Sequence, residues 1–182
     1  MLQVIVPDME TWSPATNEFS IVKGGEITLE HSLLSISKWE SKHHKYFLNN
    51  RDLNSDEVLD YIRCMTVKGS ISYNSYEYIP TSEIHKIHEY MNDPMTATWF
   101  GNQAGTPKSR FGGRIITSEL IYYYMIQLNI PMQCEKWHVN RLLTLIQVCQ
   151  AEQNPTKLSG KALADRNTRL NEARLKKYHS NG

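Results

Sequence analysis

Arg114-Ile115-Ile116-Thr117-Ser118-Glu119-Leu120-Ile121-Tyr122-Tyr123-Tyr124-Met125-Ile126-Gln127-Leu128 is the stretch whose reading decides the fold. It is apolar on nearly every face of a helix, and such a helix has to be surrounded. It is too short and too interrupted to span a bilayer, which takes about 20 predominantly apolar residues. Asn129-Ile130-Pro131 ends it, because proline has no N–H and disfavours helix in the residue before it. A second arm, Cys134 to Gln150, keeps a polar stripe of Lys136, Asn140, Thr144 and Gln147 at helical spacing. Trp137, Val139, Leu142, Leu143, Leu145, Ile146 and Val148 cover the rest of it. A short connection sets two helices side by side and antiparallel. The helical hairpin from Gly113 to Gln150 is therefore the expected core.

Upstream, Leu2 to Val6 is a short β-prone run stopped by Pro7. Glu18 to Lys23 and Glu26 to Glu30 both alternate polar and apolar residues around Gly24-Gly25, which reads as a β-hairpin with a tight glycine turn. A lone ribbon is marginal, so Leu2 to Val6 is a candidate third strand. Helix resumes near Ser32, with Leu33, Ile36, Trp39 and Glu40 on one face ahead of Lys42-His43-His44-Lys45. Asn54-Ser55-Asp56-Glu57 opens the next helix with a cap and first-turn acids, and Val58, Leu59, Ile62, Met65 and Thr66 form its expected inward face. Thr81-Ser82-Glu83 starts another, with Ile84, Ile87, His88 and Met91 along one side and Asn92-Asp93-Pro94 as its stop. Met95 to Phe100 is apolar enough to pack on the core, and the glycine-rich Gly101 to Gly113 reads as a surface loop.

Asn154-Pro155 ends the core, and Leu158-Ser159 reads as a staple and cap for a last helix running to about Lys177. That helix has only a thin stripe, Leu163, Arg166, Leu170 and Ala173. Residues 151–182 hold seven Lys or Arg against three Asp or Glu, a net of +4, so the body carries −3 of the overall +1. A basic helix with few apolar residues buries little alone and is placed outside the core. The expected fold is mostly α: a helical body over residues 1–152, with a β-hairpin at about 18–30 and the core hairpin at 114–150. A basic helix or tail follows over 153–182.

The overall charge of +1 gives no electrostatic case for nucleic acid or an anionic membrane. Cys64, Cys134 and Cys149 form no C-x-x-C pair and sit beside apolar residues, which predicts buried thiols in a reducing compartment. The opening residues lack a basic n-region and a long apolar stretch, which predicts an intracellular protein. His43, His44, His85 and His88 lack the further ligands a zinc site needs; His138, in line with Leu142, Leu145 and Cys149, reads as a hydrogen-bonded core histidine. Gly112-Gly113-Arg114 precedes a helix but belongs to no phosphate-loop pattern. Ser118-Glu119 has no nucleophile elbow and no base, and Glu119 is expected to pair with Arg114, Arg141 or Lys136. Neither catalysis nor a cofactor nor a metal is expected.

Several runs carry a resemblance. They are Ile27 to Lys42, Asp93-Pro94-Met95-Thr96-Ala97-Thr98, Ile115 to Tyr123, Cys134-Glu135-Lys136-Trp137-His138, Asn140 to Ile146, and Arg166 to Arg174. From about Phe19 to Lys177 the chain resembles the tail assembly chaperones of long-tailed bacteriophages of Gram-positive hosts. The resemblance implies a non-enzymatic protein that binds the tape-measure protein, keeps it soluble, and helps tail-tube protein polymerise around it. It implies work in the host cytoplasm and absence from the finished virion. Some members also exist as a longer frameshifted form, which adds that form and homo-oligomers to the partners considered; no membrane partner is expected.

A tape measure is a long apolar helical chain, and a Met- and Tyr-rich helical module suits it by helix-in-groove contacts. The expected partner-binding residues are Tyr122 and Tyr124, Trp99 and Phe100, and Leu163, Arg166, Leu170 and Arg174 on the basic helix. The alternative is a structural virion protein, a head–tail connector or tail-completion protein. A third reading, duplex binding by the Lys157 to Lys177 helix, predicts affinity that falls steeply with salt.

Overall fold

The structure is a computed structural model, and it describes residues 1–14, 17–69, 71–98, 115–153 and 160–178. The chain starts as one long antiparallel ribbon. Strand β1 (Leu2–Val6) pairs with β4 (Gly25–Leu29), and β2 (Met9–Ser13) pairs with β3 (Glu18–Val22). Both ladders keep a single register, with Leu2 opposite Leu29, Met9 opposite Val22 and Ser13 opposite Glu18. The ribbon breaks where Pro7 and Asp8 meet Lys23 and Gly24. Proline offers the ladder no N–H; instead Asp8 Oδ1 accepts from the Gly24 N–H at 2.8 Å, and Oδ2 holds Lys23 Nζ at 3.1 Å. A Cβ on Gly24 would lie 2.0 Å from the Val6 carbonyl oxygen, so only glycine lets the two strands close here.

This pairing corrects the expected hairpin. Glu18–Val22 and Gly25–Leu29 do not pair with each other, and Gly24-Gly25 is no hairpin turn. Strand β5 (Thr66–Lys68) joins β4, giving a sheet of order β1–β4–β5 beside the two-stranded β2–β3. The expectation of a mostly α fold is corrected with it: the domain is mixed α and β. Its three-stranded sheet is one wall of the core, with Val4, Val6, Ile27 and Leu29 buried on the inner face.

The described helices are α1 (Leu33–His43), α2 (Ser55–Met65), α3 (Thr81–Asn92), α4 (Ser118–Gln127), α5 (Val139–Gln153) and α6 (Gly160–Tyr178), with 3-10 turns at Tyr73–Tyr78 and Met132–Lys136. Ser32 caps α1, its Oγ accepting from the Ser35 N–H at 3.2 Å. Asn54 caps α2 in a full capping box, accepting from the Glu57 N–H at 2.8 Å while the Glu57 carboxylate accepts from the Asn54 N–H at 3.0 Å. The expected face of α2 is partly reversed: Asp60, Tyr61, Ile62 and Met65 are buried, and Val58 is exposed.

The middle of the core is α1 rather than the Gly113–Gln150 hairpin. Leu33, Ile36 and Trp39 are fully buried, and α1 packs against α2, α4 and the Met132–Lys136 turn. Trp39 Nε1 donates to the Glu57 carbonyl at 2.9 Å, tying α1 to α2. Helix α4 starts later than expected, at Ser118 behind the Thr117 cap, so Ile115 and Ile116 precede it as extended chain. It is also not surrounded: Ser118, Ile121 and Met125 face inward while Tyr123 and Ile126 face out. Helix α5 starts at Val139, whose N–H donates to the His31 carbonyl at 2.7 Å. Along its polar stripe Thr144 is buried and Asn140 and Gln147 are half-buried, while Lys136, on the turn before the helix, is exposed; Asn140 Nδ2 donates to the Met91 and Asp93 carbonyls at the end of α3 (3.0 and 2.8 Å). Among the described residues no helix is long and apolar enough to cross a membrane. Trp99, Phe100, the Gly101–Gly113 loop, Arg114, Asn154-Pro155 and Leu158-Ser159 lie outside the described residues.

Candidate functional site

Two polar clusters hold the titratable groups of the interior. In the first, Glu30, His31, Tyr61, Tyr90 and His138 meet where β4 runs into α1. His31 Nδ1 and the Tyr61 hydroxyl share a hydrogen bond at 2.5 Å, and the His31 and His138 rings stand edge to face, 5.1 Å between centroids. His138 Nε2 donates to the Tyr90 carbonyl at 3.0 Å, as a core histidine should, and the Tyr90 hydroxyl donates to Glu30 Oε1 at 2.6 Å. Burial, reinforced by the neighbouring His138, depresses His31 to about 3. Burial lowers His138 as well, and it raises Tyr61. Both imidazoles are thus neutral supports for packing at neutral pH.

The second cluster lines an open cleft of about 400 Å³ between the end of α1 and α2. Buried Asp60 accepts from Lys42 Nζ at 2.6 Å and lies 2.8 Å from His43 Nε2, and His43 stacks on Trp39 at 4.4 Å. Arg63 spreads over the Tyr73 ring, 3.6 Å from its centroid. Burial is the largest influence on Asp60 and pushes its carboxyl up; the Lys42 and His43 hydrogen bonds together outweigh it and hold the group below its usual range. Asp60, Lys42, His43 and Arg63 already serve one another or a ring, which is the chemistry of a structural ion network. Burial raises the Cys64 thiol, which keeps it out of its nucleophilic form at neutral pH. Among the described residues no three His, Cys, Asp or Glu side chains are placed to share a metal.

The outer surface differs, because besides Ile5, Val67, Tyr73 and Met132 it displays large apolar side chains in two further places. On α4 the exposed face is Glu119, Tyr123 and Ile126, one helical stripe, with Ile115 just ahead of it. Ile115, Tyr123 and Ile126 are 63%, 53% and 64% exposed, an unusual display for large apolar groups in succession. The second place is the β2–β3 arm, where Trp12, Phe19 and Ile21 lie open to solvent.

The expected partner-binding residues divide. Tyr122 is half-buried and its hydroxyl donates to Glu135 Oε2 at 2.9 Å, so its polar end is committed within the fold. Tyr124 is half-buried, its ring 5.5 Å from that of Tyr123. The displayed tyrosine of the run is Tyr123. Leu170, half-buried, and Arg174, exposed, come together with Ala97, Asn167 and Asn171 around a cleft of about 390 Å³. Leu163 and Arg166 lie on α6, and their side chains are outside the description, as are Trp99 and Phe100. Glu119 does not take up Arg141 or Lys136; hydrogen bonds from its own N–H, Thr117 and Ser118 hold its carboxyl below the usual range at the helix start. Arg141 lies instead over the Trp137 ring, 4.3 Å from its centroid.

Sequence reasoning missed the arm and the Tyr123–Ile126 stripe. The alternation Glu18-Phe19-Ser20-Ile21 was signal enough for a strand with one apolar face, and Trp12 has the matching phase on Met9–Ser13. Compared with known proteins, the chain matches no family model, no curated protein and no solved structure.

Proposed function

We propose that the chain is a bacteriophage tail assembly chaperone: it binds the tape-measure protein, keeps that long helical chain soluble, and assists tail-tube polymerisation around it. The sequence resemblance is the source of the partner's identity. The observation that carries the binding role is the open Tyr123–Ile126 face of α4, with exposed Ile115 just ahead of the helix, on an element whose other side is anchored in the core. A rigid helix with Tyr123 and Ile126 on one stripe matches the apolar stripe of an amphipathic client helix, burying on each side what would otherwise aggregate. Tyr123 adds a broad ring with little rotamer entropy to lose, the property that makes tyrosine a frequent anchor at interfaces. The protein acts during assembly, in the host cytoplasm, and leaves before the virion is complete.

Co-expression with the tape-measure protein tests this. The client should stay in the soluble fraction only when this chain is present. Tyr123→Glu with Ile126→Glu should weaken its capture by about tenfold or more, the equivalent of one lost anchor residue. Tyr123 and Ile126 are exposed, so the variant should unfold at the wild-type denaturant concentration. A client that stays insoluble, or is captured equally by the double variant, refutes the reading. Stoichiometric amounts of the chain in purified particles would replace it with a structural virion protein.

A further inference from the structure

The β2–β3 arm leaves the body at the Pro7–Gly24 break, and no side chain of its two strands belongs to the core cluster. Its register sets Trp12 opposite Phe19 and Glu10 opposite Ile21, so these four side chains share one face. The two rings touch, 4.9 Å between centroids, yet Trp12 and Phe19 remain 47% and 71% exposed. A two-stranded ribbon is marginal by itself in water. This one displays an aromatic pair of the type that anchors protein interfaces.

Charge points to what covers it. Lys23 is held by Asp8 at the base of the arm, which leaves Glu10 and Glu18 without an ion pair among the described residues. Two arms brought together by their aromatic faces would oppose Glu10 to Glu10, an arrangement that costs affinity. Helix α6 has the complementary character: Gly160–Tyr178 holds six Lys or Arg against two Asp or Glu, a net of +4. Leu170 and Arg174 of that helix border the open cleft at Ala97, an apolar contact and a guanidinium side by side. Within one chain α6 does not cover the arm, since both rings are open.

We propose that the Trp12–Phe19 arm of one copy docks on helix α6 of a second copy. The rings enter the Leu170–Arg174 cleft, and Glu10, on the same face, lies against the basic side chains. Arm and helix are different patches, so the contact is head-to-tail, and copies add into rings or chains rather than stopping at a closed pair. It stands apart from the tape-measure reading, because it uses neither Tyr123 nor Ile126.

Sedimentation velocity on the full chain over a wide concentration range tests it. The wild type should associate reversibly, more weakly as salt rises. Trp12→Thr with Phe19→Thr should raise the dissociation constant by about tenfold or more, with an unchanged unfolding midpoint because the arm is outside the core. Arg169→Glu with Arg174→Glu should weaken association similarly, and adding Glu10→Lys to that variant should restore part of it. A wild type that stays monomeric throughout overturns the proposal, as does association that survives loss of the rings. Association that survives helix reversal would put arm against arm and overturn it too. So would a concentration-independent cross-link between the arm and α6 of one chain. Tyr123→Glu with Ile126→Glu should associate as the wild type does, which separates failure of this contact from failure of client binding.

Discussion

Glu40 ties the end of α1 to two other segments, one through each oxygen of its carboxylate. It is buried near the end of α1, where Oε1 accepts from the Phe47 N–H at 2.9 Å and Oε2 accepts from the Ser118 N–H at 2.7 Å. The second contact places a negative group at the N-terminus of α4, where free N–H groups and the helix dipole favour it. Glu40→Ala strands two buried donors, each costing about 1–3 kcal/mol, so urea unfolding should report a loss of about 3 kcal/mol or more. Glu40→Gln keeps one acceptor and should lose roughly half as much; equal losses would mean that one of the two contacts contributes nothing. His31 sets the response to acid. Its folded value of about 3 lies below the ordinary 6.5, so between those values the unfolded chain binds a proton that the folded chain does not. Stability therefore rises with pH across that window and is lost as pH falls through it, by about 2–3 kcal/mol at about pH 4.5. Asp60, held below its usual range, adds to acid loss only below about pH 4, so the two are separable. His31→Gln should flatten the stability profile between about pH 6.5 and 4.5 relative to wild type, leaving the smaller contribution of His138. A wild-type profile already flat in that range would contradict the buried neutral imidazole.

At the scale of elements, what can be read from sequence is what is decided locally. Ser32 and Asn54 start α1 and α2 because a short polar side chain satisfies an N–H three residues on, a relation contained within four residues of sequence. Asn54→Ala should therefore cost about 1 kcal/mol in thermal or urea unfolding. Alanine keeps the backbone N–H that donates to the Glu57 carboxylate, so only the Oδ1 half of the box, which accepts from the Glu57 N–H, is lost. A cost well above that would mean the box supports the Trp39–Glu57 contact as well as the helix end. Pairing partners are not local, and there the reading fails. Glu18–Val22 and Gly25–Leu29 alternate correctly, but alternation marks a strand without naming its neighbour. The neighbours were Met9–Ser13 and Leu2–Val6, chosen by a ribbon twice as long as expected with proline and glycine at its break. The same holds for faces. Arg114 to Leu128 is apolar around the helix, so its composition could not distinguish the anchored Ile121 and Met125 from the open Tyr123 and Ile126. On α2, Asp60 turned inward onto Lys42 and His43 of α1, Tyr61 turned inward onto His31 and Phe47, and Val58 turned outward; no local pattern encodes those partners. The candidate site was legible to the same extent: the tyrosine run was identified, and the tyrosine that reaches solvent was not.

Over the whole molecule, the sheet β1–β4–β5 and helices α1 to α5 share one core, and α6 stands apart from it in burial. None of the side chains described on α6 is buried; Leu170 and Ala173 are half-buried and Arg169, Glu172, Arg174 and Leu175 are exposed. Removing residues 154–182 should therefore leave urea unfolding of the body nearly unchanged, within about 0.5–1 kcal/mol, because surface groups contribute little to the folded state. The truncation does change the charge, from +1 to −4 for what remains, which strengthens repulsion between copies and against acidic clients. If α6 is the receptor for the arm of another copy, the truncated chain should sediment as a monomer at concentrations where the full chain associates. Its open Tyr123–Ile126 face is untouched, so any client held there should still be captured, though with lower avidity once copies no longer act together. A truncated body that unfolds several kcal/mol more easily would show instead that α6 belongs to the core, and the head-to-tail contact would lose its receptor.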